Sequence, residues 1–197
     1  MEGDFKVDFK KLKAPPEEMK LVLKFKEVFG SLPPPGEGCK LVEMDLELKD
    51  EFKDAPLRGK CWPMPQKDCE EIEAQVNELV AKGLVAPFPP GSFPKYCSPT
   101  FLVEKKESKT RRMVGSYAKL NKRCKSNAAY LPNMEILVEK MAQGKWKSKV
   151  DLRSGFWQVG MTKRAQELST FTTPNGRCFR WLCMPFELQG ATGFFKK

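Results

Sequence analysis

The 197-residue chain contains no histidine. That absence excludes Ser-His-Asp and Cys-His nucleophile systems, a histidine general base, an HExxH zinc site and a histidine-ligated haem. Seven cysteines stand at 39, 61, 69, 97, 124, 178 and 183, and no two are spaced as C-x-x-C, which argues against a zinc ribbon or a thioredoxin-like pair. Their odd number and scatter predict reduced thiols in an intracellular protein, its compartment open. No apolar run approaches the ~20 residues of a membrane span, and the charged opening MEGDFKVDFKKLK lacks a signal-peptide pattern. Aspartate is scarce where it would matter most: Asp151 is the sole aspartate beyond Asp68, and no Asp-Asp pair occurs.

What is present is a basic chain able to build a core. The hydrophobic content is 41% and the net charge +10. The charge is uneven. Residues 1–80 carry 13 basic and 18 acidic side chains, whereas residues 81–197 carry 22 and 7, so the C-terminal part holds a net +15. The densest stretch, Glu104–Lys125, has nine Lys/Arg against two Glu, a pattern that attracts polyanions or serves as a solvated basic face.

Periodicity places the elements. Residues 16–29 read as a helix opened by Pro15 and Pro16, with Met19, Val22, Phe25 and Phe29 on one face. Lys40–Leu48 alternates as a strand, and residues 49–67, broken by Pro56, Pro63 and Pro65, read as an extended connector. Residues 68–82 form the clearest helix, with Asp68 as its expected cap, Ile72, Val76, Leu79 and Val80 as its apolar stripe, and Gly83 after its end. Thr100–Val103 and Arg112–Tyr117 predict a basic hairpin around residues 105–111. Residues 133–142 read as a helix, Lys149–Met161 as mixed strand and turn, and Phe171–Cys183 as a hairpin turning at Asn175-Gly176. Antiparallel hairpins without βαβ alternation indicate an α+β fold.

Two constellations could carry chemistry. Asp151 follows a β-type Lys149-Val150 and precedes a tight Leu152–Phe156 turn, a setting suited to a hard-metal ligand and equally to an ion pair or turn cap. Lys105, Lys106, Lys109, Arg111 and Arg112 lie along the presumed hairpin, where alternation sets some of them on one face to grip phosphates; Arg chelates bidentately and Lys acts as a point charge.

Several motifs in order give these residues a context. Pro99-Thr-Phe-Leu-Val103, Lys105-Lys106, Arg112-Met113, Tyr117 and Leu120-Asn121-Lys122 resemble the fingers of gypsy-type LTR retrotransposon reverse transcriptases. Val150–Val159 (VDLRSGFWQV) is similar to that family's first catalytic motif, and Met184–Ala191 (MPFELQGA) to its MPFGLxNA motif. Phe25–Pro33 and the helix running into Gly83-Leu84-Val85 also match, so the resemblance covers most of the chain.

The resemblance implies a right-hand polymerase fold: an N-terminal helix and Pro-rich lead-in (1–38), a fingers-like region (39–130) and a partial palm (131–197). It implies that Asp151 is the first catalytic, metal-binding aspartate and that Leu152 offers its carbonyl to the same Mg²⁺. Phe156 becomes the aromatic gate under the incoming sugar, Lys105 and Arg112 contact the triphosphate, and Phe186 flanks the nucleotide pocket. Lys106, Lys109 and Arg111, from the basic hairpin pattern rather than the family, are the expected nucleic-acid contacts. Two-metal phosphoryl transfer needs no histidine.

The departures are specific. The family's downstream Tyr-x-Asp-Asp has no counterpart in these 197 residues. Ser116 and Ala118 replace an Asp and an Arg, Leu168 a Lys, Glu187 the glycine of MPFGL, and Gly190 an Asn. A carboxylate at 187 repels triphosphate, and a glycine position often needs a backbone conformation that Glu adopts poorly. The expectation is therefore a fingers and partial-palm piece, ending before the second carboxylate motif and inactive by itself. It would bind template–primer nucleic acid or nucleotide, with a protein partner covering an incomplete palm. The alternative is a domesticated, non-enzymatic basic domain serving as a nucleic-acid-binding or assembly subunit, or a decayed product.

Overall fold

A computed structural model of the chain describes residues 15–28, 39–89, 93–104, 110–125, 133–145 and 151–195. The chain divides into two compact units, Met1–Pro33 and Pro34–Lys197. In the first, helix α1 (Pro16–Lys24) opens on proline at its first position, with Glu17 and Glu18 in its first turn, and gives way to a 3₁₀ turn, Lys26–Val28. Met19 and Val22 are half-buried and Phe25 is exposed, while Phe29 lies outside the described residues.

The second unit is a mixed α+β assembly. Its strands are β1 (Cys39–Met44), β2 (Leu57–Arg58), β3 (Val85–Pro87), β4 (Tyr96–Glu104), β5 (Arg111–Gly115), β6 (Val159–Met161), β7 (Phe171–Thr172) and β8 (Cys178–Trp181). Its helices are α2 (Gln66–Ala81), α3 (Ala118–Arg123), α4 (Met134–Gln143), α5 (Lys163–Leu168) and α6 (Ala191–Phe195). Six strands make one sheet in the order β2-β4-β7-β8-β3, with β5 also on β4, and β1 pairs with β6.

The hairpin expected around residues 105–111 is present: β4 and β5 are antiparallel from Thr100↔Gly115 to Glu104↔Arg111. So is the second one, β7 to β8, whose turn places Gly176 at φ 79°, a left-handed value that glycine adopts without steric cost. The sheet is nevertheless not purely antiparallel. β1 with β6, β2 with β4 and β4 with β7 all run parallel, because their connections are long and pass through helices. Pairing of β4 with β7 puts residues on both sides of position 130 into one sheet.

Helix α2 begins two residues before the expected start, at Gln66. Pro65 is its N-cap residue and no side chain caps it, so Asp68 sits inside the first turn rather than at its edge. Ile72 and Val76 are fully buried, and α2 packs on β3, β4 and β5. Burying side chains of this size contributes about 1.5–3 kcal/mol each. Around them gather Met44, Leu120, Phe171, Phe179 and Met184, all at 0–1% exposure, with Phe171 and Phe179 stacked at 5.7 Å. Tyr117, 1% exposed, donates its hydroxyl to Ser169 O at 2.8 Å and fills the space above Gly115, where a Cβ would fall 2.7 Å from its ring. Helix α4 forms as expected, capped by the Asn133 side chain accepting from Glu135 N–H at 2.9 Å, but every residue in it is exposed.

Candidate functional site

Asp151 and Leu152 are exposed at the entry to a sharp turn. Ser154 adopts φ 46°, ψ 43°, in the left-handed region, and throws the chain into a 3₁₀ turn, Gly155–Gln158. Trp157 N–H donates to Ser154 O at 2.9 Å, and the Gln158 side-chain amide donates to Arg153 O at 2.8 Å, so the turn is closed from both backbone and side chain. The chain then enters β6. This geometry presents Phe156 and Trp157 to Phe186 of the segment after β8: the Phe156 and Phe186 ring centroids are 5.3 Å apart, tilted by 42°, and Trp157 meets Phe186 edge-on at 6.1 Å. Two motifs far apart in sequence thus share an aromatic wall on the turn that Asp151 leads into. Phe186 is still 44% exposed, so this wall is open to a ligand.

Strand β6 and the segment following β8 are joined by Met184 N–H donating to Val159 O at 2.9 Å and Met161 N–H to Leu182 O at 3.2 Å. Beyond Met184 the chain turns through Phe186 and Glu187. Glu187 has φ 72°, the left-handed conformation expected where the family carries glycine. Sequence reasoning gave no role to Asn121, and the structure does: its Nδ2 donates to Glu187 O at 2.8 Å and its Oδ1 accepts from Gln189 N–H at 2.9 Å. Its place in the Leu-Asn-Lys run was visible, but nothing local reveals a partner so distant in the chain.

The basic constellation is split. Lys105, Lys106 and Lys109 lie outside the described residues. Arg111, expected on a phosphate-gripping face, instead pairs with two carboxylates of α2: Asp68 at 2.9 Å and, closer still, Glu71. Donating hydrogen bonds to these two, Glu71 above all, holds the guanidinium more firmly protonated than usual. Adjacent residues of a strand point to opposite faces, so Arg112, exposed on β5 opposite Val103, is turned away from this ion pair.

Next to Arg111 lies an open groove of about 480 Å³, lined among others by Trp62, Met64, Phe101, Leu102, Arg111 and Ser116. Trp62 is 52% exposed and meets Phe101 edge-to-face at 5.9 Å. Trp62 is the exposed ring of this groove and Phe101 is half-buried, while Asp68 lines the groove too and meets the Arg111 charge there. Sequence reasoning took Trp62 for part of a connector, and a lone Trp between Cys61 and Pro63 was its one signal. Ser116, standing where the family carries Asp, lines the same groove.

A reverse transcriptase (RNA-dependent DNA polymerase) family model matches residues 103–196, from the last two residues of β4 through β5, the Asp151 turn and the Phe186 segment. The chain is 33% identical over 162 residues to a retrovirus-related Pol polyprotein from transposon 412 of Drosophila melanogaster. It is 34% identical over 159 residues to an enzymatic polyprotein of Figwort mosaic virus, and 37% over 133 residues to one of Carnation etched ring virus. These alignments cover 80%, 79% and 66% of the chain. The chain belongs to the retroelement reverse transcriptases. It spans 12%, 23% and 19% of those three polyproteins.

Reverse transcriptases are divalent-metal enzymes, and the donor set here can be tested against such an ion. Among the described residues no group of three or more Cys, Asp or Glu converges to hold a metal. Asp151 brings one carboxylate to its turn, and a hard divalent cation takes six or more oxygen ligands. The described residues therefore do not by themselves fit a metal centre.

Proposed function

We propose that the chain forms the incoming-nucleotide and template side of a retroelement reverse transcriptase, with residues 39–130 as fingers, 131–197 as the first part of the palm and 1–38 as a lead-in. The observation that carries this reading is the meeting of Phe156 with Phe186 on the turn that follows exposed Asp151. Phe156 supplies the face on which an incoming sugar rests, Phe186 backs it, Asp151 and the Leu152 carbonyl would give two of the six or more oxygens that Mg²⁺ takes, and Arg112 with Lys105 neutralises the triphosphate. Trp62 and Phe101 offer stacking surface to a single-stranded template, and the basic residues of the 81–197 region, Lys106 and Lys109 among them, supply counter-charge. Arg111 contributes indirectly, by anchoring the hairpin on α2.

Two measurements test this. The 197 residues alone are expected to bind a template–primer duplex with affinity that falls steeply as salt rises, and Lys106→Ala with Arg112→Ala is expected to lower the log–log slope by about 1 to 2 units. A slope near zero overturns the nucleic-acid reading. Primer extension with Mg²⁺ or Mn²⁺ is expected to be undetectable, and robust extension abolished by Asp151→Asn overturns the proposed inactivity.

A second reading, a non-enzymatic nucleic-acid-binding or assembly domain, draws on Glu187. A left-handed Glu in the turn beside the proposed nucleotide wall puts negative charge next to a triphosphate site. Salt-dependent duplex binding together with no binding of dNTP, even in Glu187→Gly, favours that reading over the first.

A further inference from the structure

The 186–190 turn combines backbone strain with an external clamp. Glu187 is one of two described non-glycine residues with positive φ, and a Cβ-bearing residue in the left-handed region relaxes unless its surroundings prevent it. The restraint is Asn121. Its amide donates to Glu187 O at 2.8 Å and accepts from Gln189 N–H at 2.9 Å, so one side chain satisfies a carbonyl and an N–H on either side of Leu188. The clamp stands on a rigid base. Asn121 N–H donates to Tyr117 O at 2.7 Å, Cys124 N–H to Leu120 O at 3.0 Å, and Leu120 is fully buried. At the other end, Leu188 is 5% exposed and accepts from Ala191 N–H at 3.2 Å. Phe186 is the part of the turn left free, and it closes the aromatic wall.

We propose that Asn121 is a positioning residue of the nucleotide site: by holding Glu187 left-handed it sets Phe186 against Phe156. The inference rests on the nucleotide-site reading above. The amide is required at both ends. Asn121→Asp keeps the acceptor for Gln189 but turns a carboxylate oxygen toward the Glu187 carbonyl, and Asn121→Ala loses both bonds. The clamp and the strain are also coupled: with glycine at 187 the left-handed conformation carries no Cβ penalty, and the turn holds its shape with less help.

Two readouts on the whole chain test this. Amide hydrogen exchange at Gln189 is expected to speed up about tenfold in Asn121→Ala and to an intermediate extent in Asn121→Asp, but about threefold or less in Asn121→Ala/Glu187→Gly relative to Glu187→Gly. Affinity for a base-labelled fluorescent dATP with Mg²⁺ is expected to fall about fivefold in Asn121→Ala while the unfolding midpoint holds within a few degrees, and to recover most of that loss in the double variant. Unchanged Gln189 exchange, equal acceleration in both backgrounds, or unchanged dATP affinity despite faster exchange overturns the positioning role. If neither the original chain nor Glu187→Gly binds dATP, the nucleotide-site reading falls and the positioning role with it; the exchange data then report separately on the clamp.

Discussion

At the scale of single residues, the same motif positions divide into those that face a ligand and those that hold the fold. Tyr117 belongs to the second kind. It is 1% exposed, its hydroxyl donates to Ser169 O, and burial pushes its ionisation far above the ordinary tyrosine range. Tyr117→Phe leaves a buried carbonyl without its partner and is expected to cost about 1–3 kcal/mol in denaturant unfolding. Nucleic-acid affinity should be unchanged, since the hydroxyl touches no exposed surface. Arg111 shows why charge counting alone misassigns roles. The sequence shows a cation in a basic run, but its partners Asp68 and Glu71 lie about forty positions away on another element. Asp151, Phe156 and Phe186 were readable as candidates from their motifs. That the two rings meet was not, because ring contact depends on how the 3₁₀ turn and the segment after β8 are brought together by β6.

At the scale of elements, the patterns with a clear period were legible and the junctions between them were not. Alternation from Val42 to Leu48 matches burial of Met44, Leu46 and Leu48, and the α2 stripe matches Ile72 and Val76. Helix α5 escaped the sequence reading because six residues make too short a periodic signal, and its start is fixed by tertiary partners. The Thr162 side chain caps it, accepting from Ala165 N–H at 3.2 Å, while its hydroxyl donates to Asp45 Oδ1 at 2.6 Å and Arg164 pairs with the same carboxylate. This clips the end of β1 to the start of α5. Thr162→Ala is expected to cost about 1–2 kcal/mol in thermal or denaturant unfolding. Asp45 also gives an acid signature. Burial alone would raise its carboxyl, but Arg164, Thr162 and the Leu46 N–H outweigh that and hold it below the ordinary 3.8. The stabilisation is therefore present above about that value and lost as pH falls through the lower folded one. Asp45→Asn should flatten the acid limb of the stability–pH curve, and an unchanged limb would contradict the clip.

At the scale of the whole molecule, the thiols report the core. Cys124 and Cys183 are 3% and 5% exposed, and burial pushes their ionisation up to about 11 and about 12 from an ordinary 9.0. Above pH 9 the unfolded thiol releases its proton while the folded one keeps it, so the stability present below pH 9 drains away as pH rises from there. The unfolding midpoint is expected to fall between pH 8 and pH 10.5, and less steeply in Cys183→Ala. At pH 8 a maleimide should label exposed Cys39 first and reach Cys124 and Cys183 only on unfolding; rapid labelling of either in the native chain would contradict their burial.

The sequence by itself determined the chemistry available to this protein and the family to which it belongs. The missing histidine, the lone late aspartate, the net +15 of residues 81–197 and the ordered motifs are one-dimensional facts, and each limits function without reference to folding. Tertiary structure alone decided which candidates act together. It brought β7 beside β4 in a parallel pair, withdrew Arg111 into an ion pair with α2, joined Phe156 to Phe186, and set Asn121 as a clamp on a strained Glu187. Each of these joins residues far apart in the chain, and such contacts are set by the packing of whole elements around one core rather than by any local pattern.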